Sequence, residues 1–209
     1  MKHIYKLLLL TLIVALSGCA SRYRLIEPQS INYISTAKNQ DLQLDYKYDL
    51  LEKKYAKKEA KKGVKLVALK ITNNSTNDIV FGRDAVIAYQ NGNEVYIMDQ
   101  ADVFKAIKQS PASYLWYLLL SPVSVYSTSA SNGPYGYEEN TNSFPAGLIV
   151  GPGLAGANMI AAGSANKKFK IELEEYNLYG KTIAAGETKF GLIGIKSESY
   201  DALQLNLKN

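Results

Sequence analysis

Three glycines at the spacing G-x-G-x-x-G, Gly151, Gly153 and Gly156 in GPGLAG, are the residues whose chemistry is easiest to name. In a nucleotide-binding turn such glycines bring the backbone close to a pyrophosphate at the start of a helix. That use requires a preceding strand, a helix opening at the motif and a repeated strand–helix unit around it. Glu172 and Glu174 lie at about the distance of the ribose-binding acid, but Pro152 separates the first two glycines and no repeated alternation follows. The sequence predicts no nucleotide and no other cofactor. Gly147, Gly151 and Gly163 instead recur at multiples of four, a spacing that lets helix backbones approach closely. The natural partner is the bulky run Tyr114–Leu120. The expected packing or partner surface is Tyr114, Trp116 and Leu118 against Gly147, Gly151 and Gly156.

Paired carboxylates are the other candidates for chemistry: Glu138-Glu139, Glu174-Glu175, and Asp99 with Asp102. Each pair is more simply a solvated face or a helix start, so no catalytic residue is assigned.

The amino-terminal residues narrow the choice further. Lys2 and Lys6 precede the apolar run Leu7–Leu16, which is too short to span a bilayer but suits a signal segment. The run ends in Leu16-Ser17-Gly18-Cys19. This end resembles the lipobox of bacterial lipoproteins. The resemblance implies cleavage before Cys19, diacylation of its sulfur and acylation of the new amino terminus. Several acyl chains anchor stably where one would hold only marginally. The residue after Cys19 is Ala20 rather than Asp, and no acidic cluster follows. By resemblance to bacterial sorting signals, this suggests an outer-membrane protein facing the periplasm.

Removing residues 1–18 from the 209 leaves 191. Lys2 and Lys6 go with them, so 22 of the 24 basic residues remain against 19 acidic ones, a net of +3 in place of +5. His3 is the single histidine and Cys19 the single cysteine. A mature chain whose only sulfhydryl is acylated has no Ser-His or Cys-His nucleophile, no disulfide and no zinc site built on His or Cys. No metal is expected.

Residues 52–62, EKKYAKKEAKK, could be a basic patch. Two glutamates sit among the lysines, and an exported protein meets no genomic DNA, so they read as a solvated helical turn or loop. No nucleic-acid partner is expected.

The elements that must position these residues are mostly strands. Leu42–Tyr48 alternates strictly, Val64–Asn73 is a long strand, and Ile79–Phe81 a short one. Residues 85–98 carry Asn91-Gly92, which predicts a hairpin with a type I′ turn pairing Ala88 with Val95 and Val86 with Ile97. Thr182–Ala184, Lys189–Ile195 and Asp201–Leu207 return to strands. The expected fold is mainly β, an antiparallel immunoglobulin-like sandwich in the loose sense. An insertion at 99–178 should hold a short helix at 101–109, an apolar Gly/Ala-rich helical hairpin tipped by a loop at 128–144, and a segment at 169–178 in which Phe169, Ile171 and Leu173 alternate as in a strand while Phe169, Leu173 and Tyr176 share a helix face, its Lys, Glu and Leu content favouring the helix. The expected organisation is a signal peptide at 1–18, a lipid-anchored tether at 19–40 and one domain at 41–209. The body loosely resembles envelope lipoproteins of Bacteroidota, which brings no function with it.

The expected function is a non-enzymatic lipoprotein held to the membrane through Cys19. It would act as a structural or partner-binding module, with its apolar hairpin docking on an envelope protein or on the bilayer. The alternative is a lipoprotein binding a small glycan or lipid through the tyrosines of 114–137.

Overall fold

The computed structural model describes residues 19–39, 41–133 and 136–208, with the side chains of 131–140 outside that description. The expected signal segment, 1–18, lies outside the described residues. In chain order the strands and helices are β1 (Ser35–Asn39), β2 (Leu42–Lys47), α1 (Lys53–Lys62), β3 (Val64–Asn73), β4 (Ile79–Val80), β5 (Ala85–Tyr89), β6 (Ile97–Met98), α2 (Gln100–Ile107), a 3₁₀ helix (Pro111–Leu120), β7 (Val125–Gly133), β8 (Gly136–Phe144), α3 (Gly147–Glu175), β9 (Thr182–Ile183), β10 (Thr188–Lys196) and β11 (Leu203–Leu207). The fold is mixed rather than mainly β: a five-stranded antiparallel sheet, smaller sheets and three α-helices. The described chain divides into two compact units, a larger one of Ser21–Gln109 with the residues from Ser164 onward, and a smaller one of Ser110–Gly163 with Cys19 and Ala20. The single domain expected over 41–209 is therefore two units, divided inside the anticipated insertion.

In the larger unit the main sheet has the order β1-β2-β3-β10-β6. Its centre explains the near-continuous apolar run VKLVALKI. Val67, Leu69 and Ile71 of β3 enter one core cluster, while Val64, Leu66 and Ala68 enter another. A strand buried on both faces loses the alternation that marks a half-solvated one. The first cluster is completed by Ile87 of β5, Leu203 and Leu205 of β11, and Ile79 and Ile183 of the β4–β9 pair. The second is completed by Tyr55 of α1, Val103 and Ile107 of α2, and Phe169 and Leu173 of α3. Helices thus cover a face that a sandwich would cover with strands. The lysine-rich stretch is helical because Tyr55 and Glu59, four residues apart, lie on its buried side. The Glu59 carboxylate accepts the Leu66 amide at 2.8 Å.

Two local expectations are corrected. The 85–98 hairpin slips by one residue, with Ala88 bridged to Glu94 instead of Val95. Gly92 N–H donates to Tyr89 C=O and Tyr89 N–H to Asn93 C=O, both at 2.9 Å. Gly92 has φ of 87° while Asn91 is not among the positive-φ residues, so the type I′ condition is not met. The loop is three residues long with glycine at its left-handed position, and β5 goes on to pair with β11. The second correction concerns the tether at 19–40. Ser21, Tyr23 and Ile26 are buried, and the Tyr23 ring lies 5.1 Å from that of Tyr55 and 5.2 Å from that of Phe169. Residues 35–39 form the edge strand β1.

Candidate lipid anchor and apolar surface

The smaller unit holds the expected anchor and every residue of the expected packing surface. Pro111 opens its first element, at a position where the missing N–H costs nothing. The bulky run that follows, expected as one arm of a helical hairpin, is a 3₁₀ helix. Residues three apart eclipse in this geometry. The Tyr114 and Tyr117 rings accordingly stack, with centroids 6.4 Å apart and planes 2° from parallel.

Gly147 and Gly151 meet this helix through its backbone. A Cβ at Gly147 would stand 2.0 Å from the Leu120 carbonyl oxygen, and one at Gly151 would stand 2.9 Å from that of Tyr117. A Cβ at Gly156 would meet nothing within 4 Å. Tyr114 is buried, whereas Trp116 is 73% exposed and Leu118 is exposed. The expected cover of aromatic and leucine side chains over a glycine face is therefore corrected. The approach is backbone to backbone at two glycines, and Gly156 takes no part. Pro152 and all three glycines of G-x-G-x-x-G lie inside α3, not in a loop that opens it.

Residues 128–144, expected as a loop, are the β7–β8 hairpin, from Val125 opposite Phe144 to Gly133 opposite Gly136. One side of this ribbon carries Val125, Ser127, Ser129, Asn142 and Phe144, the other Tyr126, Thr128, Ala130, Thr141 and Ser143. Neither side is the continuous apolar face of a lipid-exposed barrel strand.

Cys19 is exposed. The next residue is held in place, because the Ala20 amide donates to Asn158 Oδ1 on α3. Asn158 is buried, and its Nδ2 donates to the Leu154 carbonyl one turn earlier at 2.8 Å. Burial raises the Tyr117 phenol above its ordinary value and the adjacent Cys19 adds to the shift, with a smaller contribution from Tyr114. Cys19, Tyr117 and Asn158 are thus gathered at one place in this unit. Exposed apolar side chains are abundant around the two helical segments: Trp116 and Leu119 from the 3₁₀ helix, and Leu148, Ile149 and Ile160 from α3. Glu138 and Glu139 are the charged residues between Ser110 and Gly163.

No family model, curated protein or solved structure matches this chain.

The remaining candidates have structural roles or solvent. Asp99 caps α2 by accepting the Ala101 amide at 2.7 Å. Glu174 forms an exposed ion pair with Lys170 at 3.5 Å, and Glu175 is exposed. The side chains of Glu138 and Glu139 lie outside the described ones. Two buried groups on α3 were missed by sequence reading. Asn166 Oδ1 accepts both the Gln109 amide (2.9 Å) and the Tyr55 hydroxyl (3.0 Å), while its Nδ2 donates to the Gln109 carbonyl at 2.9 Å. Glu172 accepts from residues 23, 26 and 27. Their signal was available: Gly147, Gly151, Ala155, Asn158, Ala162, Phe169 and Leu173 form the buried stripe of one helix, and Asn166 and Glu172 fall within it.

The larger unit has a groove of about 280 Å³ beside β6 and α2, lined by Tyr96, Asp99, Gln100, Asn177 and Tyr179 among others. Gln100 Nε2 is, among the described residues, a buried side-chain nitrogen without a hydrogen-bond partner.

Proposed function

We propose that this chain is a lipid-anchored protein of the bacterial envelope, acylated at Cys19, attached to the outer membrane and facing the periplasm. It works without catalysis, as a docking module that uses the apolar residues of its smaller unit. The observation that carries this reading is the exposed Cys19 next to a clamped Ala20, in a unit whose exposed surface is rich in apolar side chains. The lipobox-like Leu16-Ser17-Gly18-Cys19 supplies the chemistry of attachment. A mature chain without histidine or a second cysteine supports the non-catalytic assignment. For the larger unit, β5 and β11 share a core with the main sheet, which supports a sandwich of the loose immunoglobulin kind with helices on its outer face.

Cys19→Ala should leave the precursor uncleaved by the lipoprotein pathway and without acyl mass. Normal maturation of that variant would reject the anchor. Digestion by protease added to intact cells would reject the periplasmic orientation.

A second reading is favoured by the groove beside β6. Two tyrosines, a carboxylate and two amides suit a small glycan, whose hydroxyls could satisfy Gln100 Nε2. Titration with envelope oligosaccharides tests it. Saturable binding lost in Gln100→Leu supports it, and no binding removes it.

A further inference from the structure

We infer that the occupant of the smaller unit's apolar surface is the lipid bilayer itself, which Trp116, Leu119, Leu148, Ile149 and Ile160 enter as a shallow, non-spanning seat beside the acylated cysteine. This rests on the Cys19 anchor proposed above.

Once cleaved at Cys19, the chain has no slack before Ala20, whose amide is fixed on Asn158. Consecutive Cα atoms are about 3.8 Å apart. Acyl chains on Cys19 and its amino group therefore leave the protein beside α3, and the bilayer holding them lies next to this unit. A long flexible linker would have let the surface choose another occupant.

Surface chemistry agrees. The exposed positions of α3 up to Gly163 include Leu148, Ile149, Val150, Pro152, Ala157 and Ile160, all uncharged. Past it they become Lys167, Lys168, Lys170, Glu174 and Glu175. A protein interface typically carries a polar rim and charged partners for orientation. A hydrocarbon surface demands a stretch without charge and tolerates tryptophan at its boundary. Trp116 and Leu119, three apart on a 3₁₀ helix, project from the same side.

Depth is limited by length. By length and composition alone α3 could cross a membrane. Its part in the smaller unit, Gly147–Gly163, is about 25 Å long at the helical rise, short of the ~30 Å hydrocarbon core. Residues beyond it, Phe169 and Leu173, are committed to the core of the larger unit. The apolar stretch therefore enters one leaflet.

Trp116 is the single tryptophan of the chain, which makes the test direct. The lipidated protein is reconstituted into phosphatidylethanolamine–phosphatidylglycerol vesicles whose acyl chains are brominated, and the acyl mass on Cys19 is measured on the same sample. Trp116 fluorescence should be blue-shifted and strongly quenched. The double variant Leu119→Lys, Ile149→Lys should keep its lipid and its melting temperature but lose most of the quenching. Unquenched Trp116 on a protein that carries its lipid overturns the seat and leaves the anchor standing, and crosslinking would then identify a protein occupant. Equal quenching in the lysine variant also overturns it. If Cys19 carries no lipid, the anchor reading fails, and quenching of that chain in the same vesicles still decides the seat: its presence upholds the surface and its absence rejects it. If the lysine variant does not fold, the parent's quenching alone decides.

Discussion

The Tyr23 hydroxyl donates to the Glu172 carboxylate, which also receives the backbone amides of Ile26 at 2.7 Å and Glu27 at 3.0 Å. One buried acid on α3 thus fixes the segment that follows Cys19 and Ala20. Burial raises the Tyr23 phenol far above its ordinary value, with Glu172 adding to the shift, so the tyrosine stays protonated and a donor.

Glu172→Ala leaves three donors without their acceptor, two of them in buried bonds and one in a half-buried bond. The cost should be about 3–5 kcal/mol, the range for breaking a buried charged network. Tyr23→Phe removes one charge-assisted bond while its ring still packs on Tyr55 and Phe169, and should cost about 1–3 kcal/mol. Urea unfolding of both variants checks the order. A Glu172→Ala protein as stable as the parent would mean that the carboxylate does not hold this segment.

Asp45 makes a pH-dependent contribution of the opposite location, on β2. Burial pushes its carboxyl up, but hydrogen bonds from Thr36 (2.6 Å) and Gln43 (3.1 Å) and the Lys70 ammonium at 3.1 Å outweigh this and hold it below its ordinary value. A carboxyl depressed in the folded state stabilises fully above the unfolded value of about 4 and loses that stabilisation as the pH falls through the folded value. Asp45→Asn should therefore cost about 1–2 kcal/mol at neutral pH, and the gap to the parent should close below about pH 4. Paired denaturant melts across that window measure it. A gap independent of pH would show that the charge plays no part.

What was legible in the sequence depended on whether one interaction determined the element. Leu42, Leu44 and Tyr46 alternate because β2 buries one side, and the strand is read directly. The helix at 169–178 was ambiguous alone, since Phe169, Ile171 and Leu173 also fit a strand. Its continuity with Gly147 resolves it, because the buried positions keep a 3.6-residue period through both parts. The 128–144 hairpin carries Ser, Thr and Asn on both sides, so no hydrophobic register announces it. Tyr23 and Ile26 were unreadable as core for a different reason. Their segment has no regular period, and its partner Glu172 lies almost 150 residues away, at a separation of 149 from Tyr23. At the candidate site, the close approach of Gly147 and Gly151 was legible as a spacing, and the exposure of Trp116 not at all.

The glycines return the argument to G-x-G-x-x-G. Gly147→Ala places a methyl group 2.0 Å from the Leu120 carbonyl oxygen and 2.7 Å from that of Ser121, both backbone atoms that cannot swing aside. The helices must separate, at a cost of about 1–3 kcal/mol for overpacking a tight contact. Gly151→Leu should fall in the same direction, because its Cβ would sit 2.9 Å from Tyr117 O. Gly156→Ala meets open space inside a helix, where replacing glycine removes conformational freedom from the unfolded chain. It should stabilise by about 0.4–1 kcal/mol. A phosphate-cradling turn would give different consequences: the two variants within the motif, Gly151→Leu and Gly156→Ala, would lose nucleotide affinity with little change in folding. Thermal unfolding of the three variants and a nucleotide titration of the parent separate the two cases. Destabilisation by Gly147→Ala and Gly151→Leu alone fits close helix packing, whereas saturable nucleotide binding by the parent would restore the phosphate-binding role of this stretch.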